Sequence, residues 1–150
     1  MDAVTKFDSF VERMPILLNA LKGTRPLSRG EIPNSPEKGI YVFYEKDKPR
    51  YVGRSNSLKS RILRHGRESS KHYSACFAFK LMQEDPKYKK IEGTRSVIVE
   101  KNKGPFINAK RRIANMSVKT VEVKDPVEQA LFEIYASLAL NTKYNDFGTH

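Results

Sequence analysis

The stretch GIYVFYEKDKPRYVGRS, residues 39–55, constrains the fold more than any other part of the chain. Two β-rich runs, Ile40–Tyr44 and Arg50–Val52, flank Lys46-Asp47-Lys48-Pro49, which predicts a hairpin with a loop of about three to five residues. Side chains alternate across a strand, so Tyr41 and Phe43 share one face and Ile40 and Val42 the other. An odd number of loop residues puts Tyr51 on the face of Tyr41. The sequence leaves that register open.

Helical patterns surround the hairpin. Phe7, Phe10, Val11, Met14, Leu17, Leu18 and Leu21 recur at helical spacing over residues 7–22, with Gly23 as a stop. Pro15 either starts that helix proper or kinks it. Residues 24–38, with Pro26, Gly30, Pro33 and Pro36, read as an extended connector. Residues 57–67 form a helix capped by Ser55, Asn56 or Ser57, and Leu58, Arg61, Ile62 and His65 fall on one broad face of it. Taken singly, Arg61 and His65 read best as residues at the edge of that face, reaching out to water. Residues 72–84 read as another helix, Ser96–Glu100 as a short strand, Pro105–Asn115 as a basic helix and 117–125 as a strand.

Asp125-Pro126-Val127-Glu128 is a helix start, with Asp125 as N-cap, Pro126 at N1 and Glu128 at N3 of a capping-box variant. The helix that follows contains LFEIYASLALN, residues 131–141, whose one charge is Glu133. It lies too far in to cap the helix, and residues 129 and 137, one turn away on either side, are Gln and Ser rather than cations. Such an acid faces either solvent or a cleft.

The balance of charge narrows the function. With 28 basic against 17 acidic residues and a net charge of +11, the chain suits a polyanionic partner, most simply nucleic acid. Lys59 and Arg64 point away from the apolar face of their helix and Arg54 follows the glycine of the second run, all suited to phosphate. Lys110, Arg111 and Arg112 form a further candidate run, though such a run is commonly a plain solvated face. Cys76 is the single cysteine, which excludes an internal disulfide and a cysteine zinc site. His65, His72 and His150 lack metal-ligand spacing. No run approaches the roughly twenty apolar residues of a membrane span, and the N-terminus is too charged for a signal peptide, so a cytoplasmic location is expected.

These residues resemble the signature of the GIY-YIG nucleases. Gly39-Ile40-Tyr41 and Tyr51-Val52-Gly53 match the paired tripeptides, Arg61 and His65 follow in the next helix, and Glu133 and Asn145 close the set. Thr142 departs from the proline that many members carry shortly before the asparagine. The resemblance implies an α/β fold with a small, mainly antiparallel three-stranded sheet flanked by helices. On this reading residues 1–38 are an arm and residues 39–150 the nuclease domain, the whole forming one compact unit. It further implies an endonuclease that hydrolyses phosphodiester bonds in nucleic acid, most simply double-stranded DNA, with Tyr41, Tyr51, Arg61, His65, Glu133 and Asn145 forming the site.

The residue types suit that chemistry. Phosphodiester hydrolysis builds negative charge on the nonbridging and leaving oxygens and needs a group to take a proton from water. Arg61 keeps its charge at any working pH and can donate twice to a phosphate. Glu133 can hold one Mg²⁺ or Mn²⁺, since magnesium commonly uses one or two carboxylates and completes its shell with water and phosphate. Tyr41, with Tyr51 as partner or replacement, is the expected general base or water-orienting group. His65 would bond phosphate or relay a proton, and Asn145 would position a tyrosine or the water. The rival reading is a basic nucleic-acid-binding module without catalysis.

Overall fold

A computed structural model describes residues 1–89 and 91–148; His150, set aside above as a metal ligand, lies outside them. In chain order the elements are α1 (Ala3–Gly23), β1 (Gly39–Glu45), β2 (Lys48–Ser55), α2 (Leu58–Gly66), α3 (Cys76–Met82), α4 (Pro86–Lys89), α5 (Arg95–Lys101), α6 (Lys103–Ala114), β3 (Ser117–Glu122) and α7 (Pro126–Leu140). The class is α/β with a three-stranded antiparallel sheet, as expected. The chain divides into two compact units. One comprises residues 1–59 and the chain from Ser117 onward, the other residues 60–116.

The first unit holds the sheet, in the order β2-β1-β3. The hairpin turn is tighter than its sequence suggests. Lys46 and Asp47 alone form the loop, both at positive φ (50° and 64°), the geometry whose twist matches the flanking strands. Pairing runs Glu45↔Lys48 and Tyr44↔Pro49, then slips at a bulge so that Phe43 faces Tyr51 and Tyr41 faces Gly53. The extra residue, Arg50, sets the parity that the loop did not. It brings Tyr41, Phe43, Tyr51 and Gly53 onto one face.

The opposite face carries Ile40, Val42, Tyr44 and Val52. Met14, Leu17, Leu18 and Leu21 of α1 and Phe132 and Ala136 of α7 cover it and form the core. Fully burying side chains of this kind stabilises by about 1.5–3 kcal/mol each. The helix α1 starts earlier than its apolar pattern, because Asp2 caps it by accepting from the Thr5 N–H at 2.8 Å. Pro15 stays inside the helix on its exposed side. Only the C-terminal half of the apolar stripe is buried; Val4, Phe7 and Val11 are exposed. At the start of β1, Gly39 is obligatory, since a Cβ there would collide with the Val121 carbonyl of β3.

The second unit is helical. α3 and α6 pack together, and Phe77 and Leu81 of one and Phe106, Ala109 and Ile113 of the other are buried. Two expectations fail here. Residues 95–101 are helix, not strand: Thr94 caps them by accepting from the Val97 N–H, and Ile98 alone of their side chains is buried. The helix expected over 72–84 spans only Cys76–Met82, and His72–Ser74 form a turn.

Candidate active site

Within the first unit the residues singled out by sequence gather on the free edge of β2. Strand β1 occupies one side of β2, so alternate N–H and C=O groups on the other side lack a strand partner. Asn145 fills one such position. Its Oδ1 accepts from the Val52 N–H at 2.9 Å and its Nδ2 donates to the Val52 carbonyl at 2.7 Å, which reproduces a strand's pairing with one side chain. Thr142 fixes the carboxamide by donating its hydroxyl to the same Oδ1 at 2.8 Å, and the Asn145 N–H returns to the Thr142 carbonyl. The loop is launched by Asn141, which ends α7 at φ 54°. The departure from proline at residue 142 therefore gives Asn145 a partner. Thr142 was not anticipated, although a threonine three residues before an asparagine after a helix end is a readable turn signal.

Two residues along the edge, Arg54 lies close to the Glu133 carboxylate and acts on it electrostatically. Glu133 is half-buried. Burial raises its pKa above the ordinary carboxylate value; the Arg54 guanidinium and backbone N–H pull the other way without cancelling the shift. The polar residues one turn to either side are buried as well. Gln129 donates to the Val123 carbonyl at 2.7 Å and to Asn56 Oδ1 at 3.1 Å, and Ser137 donates to the Ile134 carbonyl. The exposed side of α7 is instead Val127, Ile134 and Leu138.

Between these two positions lies Gly53. A Cβ on it would collide with Cζ and the hydroxyl oxygen of Tyr41, so the Tyr41 ring lies directly across this residue. Tyr41 is buried and packs edge-on against Phe43, with ring centroids 5.7 Å apart. Tyr51, on the edge strand and the same face, is half-buried. The carboxamide of Asn145 is thus fixed on Val52 and the phenol of Tyr41 lies over Gly53, with the Glu133 carboxylate near Arg54, the next residue along.

Glu128 stands apart from Glu133. Asp125 caps α7 by accepting from the Val127 and Glu128 N–H groups at 2.8 and 3.0 Å. The buried Glu128 carboxylate turns to α1, where Arg13 Nε lies 3.2 Å away in an ion pair without hydrogen-bond alignment.

The second unit carries the other signature residues. Arg61 is half-buried; its Nη1 donates to the Ser74 carbonyl at 2.8 Å and its Nη2 lies 3.7 Å from Cys76 Sγ. His65 is wholly buried and meets the Phe77 ring edge-on. Burial, and after it the Arg61 charge, hold its pKa down at about 3, so the imidazole is neutral. Lys110 differs from its neighbours in the basic run. It is buried, donates to the Glu68 carbonyl and, at 2.8 Å, to the Ser70 carbonyl, and lies over the Phe106 ring. Its charge is used inside the unit. Arg111 is exposed and pairs with Glu68 at 2.6 Å, and Arg112 lies 4.0 Å from Glu84. Arg54 and Lys59 in the first unit and Arg64 in the second are exposed.

The fold and this edge define a nuclease-type α/β domain. The family model for the GIY-YIG catalytic domain matches residues 37–145, and the chain belongs to that family. No curated protein and no solved structure matches the chain significantly. At the level of class it is therefore a nuclease-type hydrolase acting on nucleic acid, in a family that typically uses a divalent metal ion. No helix among the described residues is long and apolar enough to cross a membrane.

Glu133 fits such an ion. Its carboxylate is a hard oxygen donor, half out of water, whose nearby protein charges do not offset the cost of its burial. Among the described residues no three His, Cys, Asp or Glu cluster as a cage. A lone carboxylate of this kind matches magnesium, which keeps most of its waters and shares substrate phosphate.

Proposed function

We propose that the protein is a divalent-metal-dependent endonuclease that hydrolyses phosphodiester bonds in double-stranded DNA, with Mg²⁺ or Mn²⁺ held by Glu133. The observation that carries this reading is the gathering of Asn145 on Val52, Tyr41 over Gly53 and Glu133 near Arg54, with Glu133 short of countercharge. When bound, the ion supplies positive charge for the phosphate and leaving oxygens.

The chain's own residues supply the rest. Tyr41, with its hydroxyl end over Gly53, orients the attacking water and, acting as the phenolate, takes its proton as the water's oxygen bonds to phosphorus, becoming the neutral phenol. Tyr51, more open on the same face, is its partner or replacement. The bond from phosphorus to the departing sugar oxygen breaks, and that oxygen is protonated by solvent. Asn145 holds the edge strand in place, which keeps Tyr41 and Glu133 in register. In the second unit, Arg61 offers a permanent planar charge suited to nonbridging phosphate oxygens, steadied by the Ser74 carbonyl. The burial of His65 suits it to positioning the helix of Arg61 rather than to exchanging protons. Arg54, Lys59, Arg64, Arg111 and Arg112 supply phosphate contacts outside the chemistry.

Supercoiled plasmid tests the reading. Wild-type protein with Mg²⁺ or Mn²⁺ should nick or linearise it, and EDTA or Glu133→Ala should abolish cleavage while plasmid binding persists. Cleavage that survives in EDTA, or full activity of Glu133→Ala, would refute the assignment.

A further inference from the structure

The second unit contains a cavity of ≈ 450 Å³ that the proposed chemistry does not use. This is within the range of about 300–1,000 Å³ typical of small-ligand sites. Phe106 and Val99 give it apolar walls, and the loop before α3 supplies Lys71, His72 and Tyr73. His72 Nε2 lies 3.2 Å from Ser96 Oγ, so a hydrogen-bonding pair stands in the lining. Tyr73 packs edge-on against His72, with centroids 5.4 Å apart, yet remains 66% exposed. The loop is not loose. Lys110, itself lining the cavity, holds the Glu68 and Ser70 carbonyls, and Ser74 and Ala75 donate back to the Lys71 carbonyl.

These features describe the needs of one kind of ligand. A flat heteroaromatic ring stacks on an exposed phenol, its edge finds donors and acceptors in a His–Ser pair, and an attached phosphate finds lysine. A fully paired duplex offers no such ring, because its bases are stacked inside. We propose that this cavity binds an unpaired nucleobase of a nucleic-acid strand, with Tyr73 as stacking platform, His72 and Ser96 at the base edge and Lys71 at the neighbouring phosphate. The inference rests on the nucleic-acid reading above and adds to it a preference for substrates in which a single-stranded segment adjoins a duplex.

The test is the ratio of affinities for a hairpin duplex with a short single-stranded tail and for the same duplex blunt-ended, measured by fluorescence anisotropy in EDTA. Wild-type protein should favour the tailed duplex by at least about fivefold, the scale of one base–aromatic stack. Tyr73→Ala should bring the ratio close to one and Tyr73→Phe should preserve it. Tyr73 is exposed, so circular dichroism should show both variants folded. Equal affinity of wild-type protein for the two duplexes would overturn this inference and leave the endonuclease reading standing, whereas failure to bind either duplex would remove both. A ratio unmoved by Tyr73→Ala would also overturn it. So would Tyr73-dependent binding of a free nucleoside monophosphate as tight as that of the tailed duplex, which would mark a small-molecule site.

Discussion

The free edge of β2 in the first unit and the interior of the second handle charge in opposite ways. In the interior of the second unit the chain completes the surroundings of the buried groups Lys110 and His65. Two carbonyls meet the ammonium of Lys110, and His65 is buried without charge. On the β2 edge, Glu133 feels the field of the exposed Arg54, and burial still pushes it toward its neutral form. On the proposed function, the difference separates scaffold from site. A charge whose environment the chain completes holds the fold, whereas one left incomplete is where a ligand's charge can enter.

The largest expected effect is on acid stability, through His65. Its folded pKa lies below the unfolded value of 6.5, at about 3. The unfolded chain therefore takes up a proton that the native protein refuses. This contribution to stability is complete above about pH 6.5 and is lost as pH falls toward about 3, on the order of several kcal/mol. Urea unfolding across that window should show a steep acid limb in the wild-type protein and a shallower one in His65→Leu. Parallel curves would show that His65 is not held neutral.

Next is Gly53→Ala. The added methyl group meets the Tyr41 ring, which should cost about 3 kcal/mol in urea unfolding and depress plasmid cleavage by displacing the phenol. Unchanged stability would mean that Tyr41 does not lie across Gly53. Lys110→Met should cost about 2 kcal/mol, because the Glu68 and Ser70 carbonyls lose their donor. A neutral substitution at this position would return Lys110 to the surface patch.

Glu128→Ala should matter least, at about 1 kcal/mol or less, because its Arg13 partner is largely exposed to solvent. Cleavage should persist. That outcome separates this acid from Glu133 on the same helix, and loss of cleavage would erase the distinction.

Much of the first unit was legible because its signals are local. The hairpin runs, the Asp125-Pro126 cap and the apolar stripe of α1 each depend on near neighbours in sequence. The bulge at Arg50 was not legible, since it depends on how β1 and β2 settle against each other. Over residues 95–101 the β-branched Val97, Ile98 and Val99 suggested a strand, but the Thr94 cap and a single buried side chain decide for helix. The turn at His72–Ser74 and the residues before it are held by cations from distant positions, Arg61 on the Ser74 carbonyl and Lys110 on the Ser70 carbonyl, which no local pattern reveals. Lys110 itself was readable. Phe106, Ala109, Lys110 and Ile113 follow a helix's buried spacing, and all are buried; the run of three basic residues obscured it.

Among the signature residues, spacing alone showed that Glu133 is neither cap nor helix ion pair. It did not show that Asn145 completes the β2 edge, because that pairing joins residues far apart in the chain.

Thermal unfolding with and without divalent cation tests the incomplete charge at Glu133 most directly. Adding Mn²⁺ or Mg²⁺ should raise the wild-type Tm in a saturable way, equivalent to about 2.7 kcal/mol at a hundred times the dissociation constant. The Tm of Glu133→Gln, which keeps the shape and loses the charge, should not respond. An equal rise in both proteins, or none in the wild type, would contradict the account.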